Sequence, residues 1–123
     1  MNDPIPAEVR DFIFRHIDSV AQLEALLLIR SNPHEIWDIP RTAKRLYTTH
    51  QEVAEALARL CDDGLLSVAE GRYRDNASRE QRILVDQLAA VYSRHLIPVT
   101  NMIHAKPRRI RQFADAFKFR KDR

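Results

Sequence analysis

Apolar residues along the chain fall into stretches of helical spacing separated by short polar breaks. Over Pro6 to Ile17, the residues Val9, Phe12, Ile13, His16 and Ile17 recur at helical intervals and predict an amphipathic helix, with Pro4 and Pro6 suited to its start. A second helix is expected from Ser19, with Leu23, Leu26 and Leu27 as its apolar stripe. Ser19-Val20-Ala21-Gln22 reads as a capping box, and Asn32-Pro33 stops the helix because the residue before proline avoids the α region. Glu35 to Asp38 reads as a short extended segment. Asp38 then caps a third helix over Ile39 to Tyr47, with Pro40 in its first turn. Ile39, Ala43 and Leu46 are expected to face inward, and Arg41, Lys44 and Arg45 outward.

Thr48 and Thr49 break that helix, and Thr49-His50-Gln51-Glu52 reads as a further capping box. The fourth helix is predicted to run to Asp63 with Val53, Ala56, Leu57, Leu60 and Cys61 inward. Gly64 stands where a left-handed residue ends a helix. Leu65 to Ala69 and Arg72 to Arg74, joined by Glu70-Gly71, read as a tight hairpin. Ser78-Arg79-Glu80-Gln81 opens a long helix on which Val85, Leu88, Tyr92, Leu96, Val99 and Ile103 approach a heptad seam. Pro98 should kink or split that helix. The final stretch, Pro107 to Arg120, sets Ile110, Phe113, Ala114 and Phe117 on one face among basic residues.

Composition narrows the class. Two glycines against six prolines favour helices over a turn-rich β fold. The 123 residues, 45% hydrophobic and 30% charged, suit one domain with a core of its own. That domain is expected over 1–105 with its core in 19–75, followed by a basic amphipathic tail over 106–123. Charge is uneven: residues 1–103 carry a net −3 and residues 104–123 a net +6. A basic tail of that kind fits a polyanion or an acidic surface as partner, but with Phe113, Phe117 and Phe119 in it, packing on its own domain or on a dimer mate is the first expectation. Contact with a membrane surface is the weakest of its readings. Met1-Asn2-Asp3-Pro4 has no basic and apolar secretory pattern, and the run Ala25 to Ile29 is too short to span a bilayer, so a cytoplasmic protein is expected. Asn76-Ala77-Ser78 matches a glycosylation acceptor that such a location leaves unused.

Catalytic and metal chemistry find little support. The single cysteine, Cys61, lies on an apolar stripe and reads as an inert thiol. The five histidines, at 16, 34, 50, 95 and 104, are scattered and form no zinc spacing. Ser19 and Ser78 read as caps rather than nucleophiles. No cofactor, metal or enzymatic activity is expected. Trp37 reads as a core or sheet anchor.

Helix, short strand, helix, tight turn, helix and hairpin is the order of a winged helix-turn-helix. The stretch Val20 to Arg74 resembles the winged-helix transcription regulators of bacteria. The matching residues are Leu23-Leu26-Leu27, Trp37, Ile39-x3-Ala43-x2-Leu46, the Thr48-Thr49 turn, Val53-x3-Leu57-x2-Leu60 and Gly64-Leu65-Leu66. The flanking helices are most similar to the MarR-type arrangement, which implies a homodimer built on terminal helices. Under that resemblance the fold is mainly α with a small β-hairpin wing, and the protein is a DNA-binding regulator. The helix from Thr49 would enter the major groove, with Thr48, Thr49, His50 and Gln51 nearest the bases. Arg41 and Lys44, with Arg72 and Arg74 on the hairpin, would reach phosphates. The dimer seam would be Val85, Leu88, Tyr92, Leu96, Val99 and Ile103.

The reading helix departs from that pattern: Glu52, Glu55, Asp62 and Asp63 face Arg59 alone. Glu52 is expected to be occupied in capping and Glu55 in an i,i+4 pair with Arg59. The same fold can instead serve as a protein-interaction module, using the acidic helix or the amphipathic tail with Ile110, Phe113 and Phe117.

Overall fold

The computed structural model describes residues 4–105, so the tail with Ile110, Phe113 and Phe117 lies outside the described residues. The fold is mainly α with a small antiparallel hairpin, in the arrangement of a winged helix-turn-helix with helices flanking it on both sides. The order is α1 (Ala7–His16), α2 (Val20–Ser31), α3 (Ile39–Leu46), α4 (His50–Asp62), β1 (Leu66–Ala69), β2 (Arg72–Asp75), α5 (Arg79–Arg94) and α6 (Leu96–Ala105).

Side-chain caps set the helix starts. Ser19, Asp38, Thr49 and Ser78 each accept from the backbone N–H three residues on. Ser78 and Gln81 form a full reciprocal box. The other two expected boxes close differently. Gln22 Oε1 accepts from the Asp18 N–H at 2.8 Å, and its amide donates to the His16 carbonyl, so it braces the α1–α2 turn. Glu52 accepts from the Thr48 hydroxyl at 2.6 Å instead of from the Thr49 backbone. A long Gln or Glu side chain reaches either of two adjacent donors, and the turn before the helix decides which is nearer.

One core runs through the molecule. Val9, Phe12 and Ile13 of α1 join Leu23, Leu26 and Ile29 of α2, Val53, Leu57 and Leu60 of α4, and Val85 and Leu88 of α5. Trp37 is buried, and its indole N–H donates to the Asn32 carbonyl at 3.0 Å. The predicted extended segment is reduced to a single bridge, in which the Tyr73 N–H donates to the Trp37 carbonyl at 2.8 Å. That bridge anchors β2 to the helical body. Within the hairpin, Leu66 pairs with Asp75 and Ala69 with Arg72. Glu70 (φ 53) and Gly71 (φ 75) make the two-residue turn, and Gly64 (φ 77) ends α4.

The C-terminal helix is not continuous. α5 stops at Arg94, His95 leaves the helical region (φ −132, ψ 56), and α6 restarts at Leu96. Pro98 has no N–H to offer the Arg94 carbonyl, so a straight helix through it would lose that bond and clash. The break corrects the expected six-residue seam. Val85, Leu88, Val99 and Ile103 are buried within the chain's own core. α5 packs on α1 and α6 packs back on α5, which covers the stripe internally. The Tyr92 hydroxyl donates to Glu24 of α2 at 3.0 Å, while Leu96 stays 51% exposed. Among the described residues no helix is long and apolar enough to cross a membrane.

Candidate nucleic-acid interface

α4 packs against α2, α3 and β1 through Val53, Ala56, Leu57 and Leu60, which leaves its N-terminal turn facing solvent. Thr49, His50 and Gln51 are exposed there, and Thr48 is half-buried. Thr49 Oγ1 accepts from the Glu52 N–H at 3.1 Å, so its hydroxyl already has a capping role. The Gln51 amide donates to Glu55 at 3.4 Å, a long bond that a base edge can outcompete.

Of the acidic residues Glu52, Glu55, Asp62 and Asp63, only Asp63 has a cation partner among the described residues, and the pairing is not the one the spacing suggests. Arg59 pairs with Asp18 at 3.2 Å and Asp63 at 3.9 Å, not with Glu55. Asp63 also lies 3.0 Å from His16 Nδ1, which ties the end of α4 to α1. Glu52 and Glu55 turn towards Thr48 and Gln51 on the same exposed turn.

The cations of α3 and of the wing divide into two groups. Arg41 bonds Glu35, and its guanidinium lies 5.1 Å from the Trp37 ring centre; Arg45 lies 5.4 Å from the same ring and 3.6 Å from Glu35. These two arginines cover the tryptophan and share one carboxylate, so Arg41 is only partly available to an outside phosphate. Lys44 is exposed and has no ion-pair partner among the described residues, and the same holds for Arg72 and Arg74 on β2. Arg72 and Arg74 alternate with half-buried Tyr73 and Asp75, so both project from one face of the hairpin.

A cleft of about 540 Å³ at the wing root is lined by Glu35, Trp37, Arg72, Tyr73, Arg74 and Arg82 among others. Glu35 therefore sits between the α3 cations and the wing arginines. Behind the cleft, Arg30 fixes the wing: Nη1 reaches Asp75 at 2.8 Å, and Nε and Nη2 reach Asp86 at 2.9 and 3.0 Å. Those hydrogen bonds, chiefly the pair to Asp86, hold the guanidinium pKa above its usual range. Burial, with Asp62 nearby, pushes the half-buried Cys61 thiol up, which suits an unreactive group. Burial likewise raises the Tyr73 phenol.

Two features escaped the sequence pattern. Arg30, near the end of α2, had no role in the sequence pattern, because its acidic partners Asp75 and Asp86 are far away in the chain. Tyr47 read as the end of α3, yet it is 95% exposed and left-handed (φ 56). The second had a signal, an aromatic residue directly before a double-threonine turn. No protein-family model, curated protein or solved structure matches the chain.

Proposed function

We propose that this chain is a DNA-binding winged-helix protein, a transcriptional regulator of the bacterial type, that reads the major groove with the N-terminal turn of α4. The observation that carries the reading is the exposed first turn of α4, with Lys44 exposed on the preceding helix, in a chain that also carries an arginine-bearing wing built from β1 and β2. α4 would enter the groove N-terminus first, which directs the positive end of its dipole towards the phosphates. Gln51 would pair with a base edge, the threonines would touch a thymine methyl or a phosphate, and Lys44, Arg72 and Arg74 would hold the backbone. The flanking helices α1, α5 and α6 support the likeness to MarR-type regulators, and with it a homodimer. The apolar surface open to a second copy includes Leu96 and Ile97, which are 51% and 63% exposed.

The test is fluorescence anisotropy with a labelled mixed-sequence duplex at several salt concentrations. The three interface cations Lys44, Arg72 and Arg74, which have no ion-pair partner among the described residues, predict a log–log salt slope of about −3 for a monomer and about −5 for a dimer. A steeper slope would implicate the basic residues of 106–123. Absence of binding at low salt would defeat general DNA affinity. It would favour the second reading, an interaction module, for which the exposed Glu52 and Glu55 on α4 are the supporting observation.

A further inference from the structure

α3 ends in a turn that calls for glycine. The residue that caps its C-terminus, Tyr47, is left-handed (φ 56, ψ 45), and the following N–H of Thr48 reaches back to the Ala43 carbonyl at 3.1 Å. Helices commonly end this way with glycine or asparagine, because a Cβ is disfavoured there. α4 ends with Gly64 in the same twist. At the α3 end, a large aromatic residue occupies the position instead.

Packing does not account for that choice. The Tyr47 side chain is 95% exposed, so it contributes almost no buried apolar area in return for its backbone conformation. It borders a shallow cleft with Leu27, Leu28, Leu46 and Tyr92 but does not sink into it. Its neighbours in the chain belong to the proposed DNA face. Lys44 is exposed three residues before it, and Thr49, His50 and Gln51 follow it on the first turn of α4. A helix that enters a groove N-terminus first brings the residues just before its cap to the groove rim, where the sugar–phosphate strand passes.

We propose that Tyr47 is a DNA-contact residue whose phenol donates to a backbone phosphate while its ring lies on the adjacent deoxyribose. Lys44 neutralises the same strand. This rests on the DNA-binding reading above and adds a residue that none of the expected contacts included. Tyrosine belongs among the side chains that position a protein on phosphates without reading sequence. Being neutral, it strengthens binding without adding to counterion release.

The experiment compares the full chain with Tyr47→Phe, Tyr47→Asn, Tyr47→Gly and Lys44→Ala, by anisotropy against a labelled mixed-sequence duplex across salt and by thermal melting. Tyr47→Phe should weaken binding about threefold to tenfold, and Tyr47→Asn and Tyr47→Gly by about tenfold or more, with the salt slope unchanged. Lys44→Ala should make the slope shallower by about one. Tyr47→Asn and Tyr47→Gly should also melt higher than the parent, because they accept the left-handed turn. Weaker binding in a more stable protein separates a lost contact from a folding defect. If the parent binds and all three Tyr47 variants bind equally well, the Tyr47 assignment is wrong and the DNA reading stands. If the parent binds no duplex at low salt, the DNA reading fails and takes this assignment with it.

Discussion

Arg30 holds Asp86 with two nearly parallel hydrogen bonds, at 2.9 and 3.0 Å, and so locks α2 to α5. The same guanidinium reaches Asp75 on β2, which makes it the joint between the helical body and the wing. Arg30 and Asp75 are 19% and 16% exposed, so their bond is partly shielded from water, whereas Asp86 is 64% exposed. Removing Arg30 leaves the shielded Asp75 carboxylate with Arg82 at 3.9 Å as its nearest remaining cation. Arg30→Ala should therefore cost about 1–3 kcal/mol, and Asp86→Ala less than about 1 kcal/mol. Urea unfolding of both variants checks the order, and a larger loss in Asp86→Ala would contradict it.

The hairpin turn offers a test in which backbone and sterics separate. Both of its central residues have positive φ, the arrangement for which Asn-Gly is preferred, yet the first is Glu70. Glu70→Asn should stabilise the fold by about 0.5–1 kcal/mol. Gly71→Ala should destabilise it by about 1 kcal/mol through conformation alone, since an added Cβ would meet no atom within 4 Å. Thermal melts read both signs. A loss of several kcal/mol in Gly71→Ala would mean that the hairpin turn packs more closely than its geometry shows.

Tyr92 ties stability to alkaline pH. Burial, helped by its hydrogen bond to Glu24, pushes its phenol up to about 12 from an ordinary value of 10. The unfolded chain thus loses this proton before the folded one does. The stabilisation is complete below about pH 10 and is lost as pH rises towards 12, because the native state binds more protons across that window. The melting temperature should fall more steeply between those values in the parent than in Tyr92→Phe. Parallel curves for the two proteins would remove Tyr92 as the cause.

The order of elements was legible because punctuation is local. Asp38, Thr49 and Ser78 cap helices where their side chains can, Gly64 and Gly71 take positive φ where the chain must turn, and Pro98 breaks the last helix three residues after His95 leaves it. What escaped is decided between distant residues. Periodicity shows which side of α5 and α6 is apolar, not what covers it, so Val85, Leu88, Val99 and Ile103 could be read as a seam while they belong to the chain's own core. Arg41 looked as available as Lys44 because the stacking on Trp37 and the bond to Glu35 depend on how the loop before α3 folds back.

That difference between Arg41 and Lys44 yields the sharpest prediction for the candidate interface. Lys44 has no ion-pair partner among the described residues, so Lys44→Ala should lower DNA affinity and make the salt slope shallower by about one without changing stability. Arg41 is engaged with Glu35 and with the Trp37 face, so Arg41→Ala should cost about 0.5–1 kcal/mol of stability and change the slope less than Lys44→Ala does. Glu35→Gln supplies the converse. It keeps the shape of the side chain, removes the charge shared by Arg41 and Arg45, and lifts a negative charge from the cleft that Arg72 and Arg74 line. Its affinity for duplex DNA should rise, most clearly at low salt where screening is weak. Anisotropy titrations of the three variants at two salt concentrations measure all of these effects. Unchanged binding in Glu35→Gln, alongside a normal response in Lys44→Ala, would show that DNA approaches α4 without passing the wing root.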